Sequence, residues 1–253
     1  MLKEERQQII MEKLRHEGKI VAVDLSAAIN VSEDTIRRDL RDLADAGLIQ
    51  RVHGGALLRS PAGASYKERQ FMSSDAKMDI ARAAVSLVQN RQVIILDGGT
   101  TTLEIARRLP IGLHATVVTN SPPIAVVLAD YPDIQTVMVG GHILSPSLVT
   151  IGAATVEAFS NIHADLCMLG VCSLHPEMGV STPDYEESLV KRIMVTNSAE
   201  VAALVTVDKL GTGAPYTVAP ISDLTYIITE ADTSDDMLQP YSAKGITIMK
   251  GKK

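Results

Sequence analysis

The stretch Ser32-Glu33-Asp34-Thr35-Ile36-Arg37-Arg38-Asp39-Leu40 decides how the N-terminal part of this chain folds. Ser32 suits a helix N-cap, and Glu33 and Asp34 put negative charge on the first turn, where the helix dipole favours it. Ile36, Leu40, Leu43 and Ala44 recur at three- and four-residue spacing and predict an inward apolar stripe. Thr35, Arg37, Arg38 and Arg41 then lie on the other faces. A hydroxyl and three guanidinium groups pointing outward suit a helix that enters a DNA groove, because arginine grips phosphates or reads guanine edges in two-point fashion. The same arginines could instead pair with Asp39, Asp42 and Asp45 on an ordinary exposed helix. The surrounding residues have to decide.

Working outward, Ile9, Ile10 and Leu14 predict an amphipathic helix from about Lys3 to His16, stopped by Gly18. Val21-Ala22-Val23 leads into a short helix over roughly Asp24 to Ile29, with Leu25 and Ile29 facing in and Asn30-Val31 as the turn. Two short helices joined by a tight turn have helix-turn-helix geometry, in which the second helix enters the major groove. After Gly47, Leu48 to Val52 alternates like a strand, runs into His53-Gly54-Gly55 and continues as Ala56-Leu57-Leu58. This predicts a small hairpin, or wing, with Arg51 and His53 near the DNA backbone.

Arg6, Ile10, Leu14, then Ser32, Thr35, Ile36, Arg37, Arg38, Asp39 and Leu40, followed by RVHGGA at 51 to 56, resemble the winged helix-turn-helix of DeoR-type bacterial transcription regulators. The resemblance fixes about a dozen positions across some fifty residues. It implies a domain that binds double-stranded operator DNA, most often to repress genes of sugar catabolism. The DNA-contacting residues expected on this basis are Ser32, Thr35, Arg37, Arg38, Arg41, Arg51 and His53.

Composition alone does not point to DNA. The 253 residues carry a net charge of −6, while residues 1 to 60 hold ten Lys and Arg against ten Asp and Glu, so the deficit lies in the remainder. At 46% hydrophobic and 21% charged, the chain can bury a sizeable core, as one large domain or as a small one plus a larger one. No basic start leads into an apolar run and no stretch approaches eighteen uncharged apolar residues, so neither export nor a membrane is expected, and the chain reads as cytoplasmic. Cys167 and Cys172 lack the spacing of a zinc site and read as buried free thiols; the six histidines show no ligand spacing either. No metal and no cofactor is expected.

Residues 59 to 76, with Pro61, Gly63 and four serines, read as a linker. This divides the chain into a DNA-binding domain over 1–58, a linker over 59–76 and a second domain over 77–253. In the second domain apolar runs at 92–96, 115–119, 134–139, 166–171, 201–207 and 224–228 alternate with helical patterns at 77–89, 101–109, 121–129, 153–161 and 184–198. The alternation predicts an α/β domain with a largely parallel sheet covered on both faces, whose ligands sit at the carboxyl ends of strands. Asp97, Gly98, Gly99, Thr100, Thr101 and Thr102 end a strand and open a helix, gathering free N–H groups and hydroxyls where a phosphate could bind. Thr119-Asn120, Gly140-Gly141 and Gly170 end further strands. Lys191, four residues after Glu187, reads either as a surface ion pair or as a cation for the ligand, and Lys209 has the same two readings.

The resemblance to DeoR-type regulators extends through this half on DGGTTT, VTNS, Gly140-Gly141, Glu187 with Lys191, and Lys209-x-Gly211. It implies a sugar-phosphate sensor domain similar in fold to ribose-5-phosphate isomerase. It places the phosphate at Asp97 to Thr102 and the sugar among Thr119, Asn120, Gly140, Glu187 and Lys191, with Gly141 and Lys209 beside them. Where many members have Ala-Asp-Gly, this chain has Val171-Cys172-Ser173, and where many read Ala-Asp-Ser-Ser-Lys it has Val205 to Lys209. The leading expectation is a homodimeric or tetrameric regulator, not an enzyme, switched between DNA-competent and DNA-incompetent states by a phosphorylated sugar. Two alternatives stand beside it: a sugar-phosphate isomerase using Asp97, Glu187 or Lys191, and a DNA binder with a non-functional sensor.

Overall fold

A computed structural model describes residues 1–59 and 65–251, apart from the side chain of His16. Its N-terminal part runs α1 (Lys3–Glu17), β1 (Lys19–Val21), α2 (Ala22–Ala28), α3 (Glu33–Asp45), β2 (Ile49–Val52) and β3 (Gly55–Arg59). Gly18 ends α1 in the left-handed conformation that a Cβ disfavours, donating its N–H to Leu14 O. Ile10, Leu14, Ile20, Leu25, Ile36, Leu40, Leu43 and Ile49 close into one buried cluster. The predicted stripes of α1 and α3 are therefore its walls. β2 and β3 form the wing, turning at His53-Gly54. The sequence reading did not foresee β1. Leu57 pairs with Gln50 on one side and with Lys19 on the other, so β1 lies along the edge of β3 that the hairpin leaves open.

The larger part is built on a seven-stranded sheet, ordered β16-β15-β12-β9-β4-β5-β6 and parallel throughout. These strands are β4 (Val93–Leu96), β5 (Ala115–Thr119), β6 (Ile134–Met138), β9 (Ala164–Gly170), β12 (Ser198–Leu204), β15 (Tyr226–Thr229) and β16 (Thr247–Lys250). α5 (Ser74–Val85), α6 (Thr100–Ala106) and α7 (Pro122–Leu128) cover one face. α8 (Ala153–Ser160), α9 (Tyr185–Thr196) and α10 (Asp235–Ser242) cover the other. The inner strands β4, β5 and β9 are buried and mostly apolar on both sides for this reason, while the edge strands β6 and β16 are largely exposed. Strand order reverses between β4 and β9: β5 and β6 extend one way, β12, β15 and β16 the other. The loops leaving β4 and β9 diverge there, which opens a crevice at the carboxyl ends of the sheet.

Smaller elements complete the fold: the hairpin β7 (His142–Leu144) with β8 (Val149–Ile151), and an antiparallel sheet of β10 (Ser173–His175), β11 (Gly179–Thr182) and β14 (Tyr216–Ala219). β13 (Thr212–Gly213) pairs in parallel with Leu58 and Arg59 of β3, on the same edge as β1. Gly213 packs so closely on Leu57 that a Cβ there would stand 2.7 Å from Leu57 Cδ1.

The segment read as a linker is partly structured. α4 (Tyr66–Phe71) starts at Ser65, whose hydroxyl accepts from Glu68 N while the Glu68 carboxylate accepts from Ser65 N, a reciprocal cap. Tyr66 is buried in the α5–α6–α7 cluster. A polar composition concealed a capped helix with one anchoring ring. Pro61 and Gly63, on which the linker reading also rests, lie outside the described residues.

Candidate functional site

Two surfaces concern function. The first is the exposed side of α3. Ser32 caps the helix, its Oγ accepting from Thr35 N at 3.3 Å and lying 2.8 Å from Thr35 Oγ1. Both hydroxyls of the expected DNA-contacting set are thus tied to the helix start. Arg37 is exposed and bonded to Glu33, Nε to Oε1 at 2.9 Å. Arg38, Arg41, Arg51 and His53 are exposed. Among the described residues, Arg38, Arg41 and Arg51 form no ion pair. Two of the acids that might have neutralised the arginines are taken up elsewhere. Asp39 is buried and receives two bonds from Arg6 of α1, and Asp42 pairs with Lys3 at 2.6 Å. The charge balance of this domain is thereby sorted in space: two acids of α3 are turned toward α1, and the guanidinium groups of Arg38 and Arg41 face outward.

The second surface is a cleft of about 790 Å³, mouth included, at the reversal point of the large sheet. Its walls bring together Gly98, Gly99, Thr100 and Thr101 after β4, Gly170 to Cys172 after β9, Glu187 and Lys191 from α9, and Thr206, Asp208 and Lys209 after β12. Arg69, Met72, Ser73 and Lys77, from α4 and α5, close the remaining side together with Ser147. Seven of the expected effector residues therefore line one cleft: Gly98, Gly99, Thr100, Thr101, Glu187, Lys191 and Lys209.

The others stand behind it and shape the loops. Asp97 is fully enclosed and accepts from Gly170 N at 2.9 Å. Thr102 donates to Gly99 O, Asn120 donates to Thr150 O, and Thr119 Oγ1 accepts from Ser121 N. Gly140 O accepts from Thr155 Oγ1, and a Cβ at Gly141 would stand 2.1 Å from that same hydroxyl oxygen.

Lys191 is not a surface partner of Glu187; it lines the cleft as a buried cation already engaged by the protein. Its ammonium is buried, bonded to the Asp97 carboxylate and to Gly170 O, with Glu187 Oε1 3.5 Å away. Burial opposes its charge, but Asp97 and Glu187 outweigh burial and hold the group above its ordinary range. Thr182 steadies Glu187 by donating to Oε2 at 3.1 Å.

Lys77 was not foreseen. It sits on the buried face of α5 with Ile80, Ala81 and Ala84, and a lysine inside a helical apolar stripe was the available signal. Its Nζ donates to Arg69 O and to Met72 O at 2.6 Å, which leaves one of its three protons. Burial, then Lys209 and Arg69, push the Lys77 ammonium down to about 8. Lys209 is also lowered, first by burial. A cationic wall thus faces the glycine turn. Cys172, expected to be wholly buried, is only half so; it lines the cleft, and burial raises its thiol so that it stays protonated.

No helix among the described residues is long and apolar enough to cross a membrane. Two family models match: the DeoR-like helix-turn-helix domain over residues 6–62 and the DeoR C-terminal sensor domain over 72–231. The transcriptional regulator GlpR of Haloferax volcanii is 32% identical over 99% of both chains. The glycerol-3-phosphate regulon repressor of Escherichia coli is 30% identical over 94% of this chain and 95% of its own. Ribose 5-phosphate isomerase A of Methanocaldococcus jannaschii is similar over 54% of each chain, at 19% identity and a TM-score of 0.39.

Proposed function

The chain belongs to the DeoR family of helix-turn-helix transcriptional regulators, and from that premise we propose that it represses a sugar-catabolic operon and releases its operator when a phosphorylated sugar fills the cleft. In this reading residues 1–58 contact DNA and residues 77–253 sense the effector. Thr35, Arg38 and Arg41 approach the major groove from α3, while Arg51 and His53 of the wing meet the backbone. Two copies act on two half-sites, as the small reading surface of a single helix-turn-helix requires.

The observation that carries the effector half is the pairing of a cationic wall, Lys77 with Lys209, with the turn Gly98 to Thr101 in one cleft. A phosphate dianion there accepts from the free N–H of Lys77 and from the N–H groups of the turn, and its charge offsets the burial and the repulsion that lower the Lys77 ammonium. Glu187, which lines the cleft, offers a carboxylate edge to sugar hydroxyls, held in place by the buried Lys191–Asp97 pair. An internally neutralised ion group gives orientation and discrimination among sugars more than net attraction. The Escherichia coli relative is named for a phosphorylated triol regulon, which supports a small phosphorylated polyol or sugar as the class to try.

The test is binding to DNA upstream of the protein's own gene at fixed salt, titrated with glycerol 3-phosphate, glucose 6-phosphate and their unphosphorylated counterparts. Release by one phosphorylated compound, and not by its parent, supports the reading. DNA binding that none of a wide sugar-phosphate panel alters overturns the effector half, and tight DNA binding by a strictly monomeric protein overturns the oligomer.

A further inference from the structure

The cleft and the wing meet on one short piece of chain. Lys209 lines the cleft, and Thr212 and Gly213 extend the wing sheet along β3. The two ends are tied rigidly. Thr212 Oγ1 donates to Lys209 O at 2.8 Å, closing the segment into a turn. Gly211 N donates to Leu174 O at 2.8 Å and lies 3.0 Å from Tyr241 Oη, which itself donates to Leu174 O. Lys209 and β13 are thus joined by a short turn that is closed on itself by Thr212 and held to β10 and α10 at Gly211. Beyond this turn, Gly213 is seated on Leu57, a buried residue of the wing, and Lys19 of β1 pairs with Glu177 of the loop between β10 and β11 at 2.5 Å.

We propose that the segment Lys209–Gly213 is the route by which the cleft controls the winged helix: an anion held by Lys209 repositions β13, and β13 repositions the wing strand to which it is paired. This rests on the anion-binding reading of the cleft. It adds which contact carries the signal and which residues can be changed to sever it. Because β3 is the strand paired with both β1 and β2, a shift in it alters the stance of the wing relative to α3, the geometry that a DNA duplex reads. Coupling of this kind is reciprocal, so DNA on the wing must act back on the cleft through the same pair of strands.

The experiment is amide hydrogen exchange on the full chain, with and without millimolar inorganic phosphate, comparing the wild type with Gly213→Val. A valine Cβ would stand 2.7 Å from Leu57 Cδ1, so Leu57 must repack or β13 must lift, and either change breaks the seat of β13 on the wing. In the wild type, phosphate is expected to slow exchange at Gly98 to Thr101 and to change it by about fivefold, the low end of allosteric coupling, at Leu57 to Arg59. In Gly213→Val the change at the cleft persists and the change at the wing disappears. Should that variant fail to fold, Gly213→Ala makes the same contact with a smaller group and takes its place. A cleft that responds while the wing stays silent in the wild type, or a wing that responds equally in the variant, overturns the proposal and leaves the cleft reading intact. Absence of any response at Gly98 to Thr101 overturns the anion-binding reading and this route with it.

Discussion

The ammonium of Lys191 is bonded to the Asp97 carboxylate in the floor of the cleft, out of reach of water. Removing it leaves Asp97 and Glu187 facing each other with no cation between them. Lys191→Met is expected to destabilise the protein by about 3–5 kcal/mol, the range for breaking a buried pair from one side. The double variant Lys191→Met with Asp97→Leu removes the stranded charge and recovers much of that loss. Urea unfolding of the two variants checks the prediction, and a single variant as stable as the wild type would show the pair to be structurally idle.

Lys77 gives opposite pH trends for stability and for ligand binding. In the folded chain it releases its proton near pH 8, and in the unfolded chain near its ordinary 10.5. Between those values the unfolded state holds more protons, so the contribution of Lys77 to stability rises with pH. Phosphate affinity falls over the same window, because the cation that receives the dianion is lost. Lys77→Met is expected to flatten both trends and to weaken phosphate binding at neutral pH. Calorimetric titration and thermal melting across that window read the two slopes independently.

Arg38 and Arg41 are exposed and unpaired among the described residues, whereas Arg37 is held by Glu33. Arg38→Ala is expected to weaken operator binding by about 1–3 kcal/mol with relaxed specificity if it reads a base, or to lower the salt slope by about one if it meets a phosphate. Arg37→Ala is expected to have the smaller effect, because its guanidinium must first leave Glu33. Competition with scrambled DNA over a salt series separates the cases.

Arg6 ties α1 to the reading helix. Its guanidinium is the partner of the buried Asp39, joining α1 to α3. Arg6→Ala is expected to cost about 2 kcal/mol, less than a fully enclosed pair because the guanidinium reaches solvent. Operator affinity should fall while phosphate binding at the cleft is retained. Melting curves with separate probes of the two parts check this.

How much was legible in the sequence depended on whether the signal was local. α3 was legible because its cap, first-turn acids and apolar stripe lie within one segment, and β4, β5, β6, β9, β12 and β15 because strands of a parallel sheet are largely continuous apolar runs. α10 was not: Pro240 sits inside it and hides a helix that Ser234, Asp235 and Asp236 begin in the ordinary way. β13 had no local signal at all, since two residues become a strand only by meeting β3. The glycine turn at 98 and 99 could be read from its residues, but the cationic wall opposite could not be assembled from spacing. Its members come from α5 and from the loop after β12, which only the reversal of strand order brings together. The surface-pair reading of Lys191 failed for a related reason, because a spacing of four residues identifies Glu187 as a neighbour and cannot identify Asp97.

The pairing of β13 with β3 also has a consequence for synthesis on the ribosome. The first fifty-nine residues emerge early, yet the last two residues of β3 pair with a strand that the ribosome makes only after five of the seven strands of the large sheet. Until then the edge of the wing beyond β1 stays open, an exposed template for pairing with another nascent chain. Closure of the wing is therefore a late event, timed by the folding of the domain that follows it. A truncated product ending before Thr212 carries the reading helix while the last two residues of β3 still lack the strand that completes their edge.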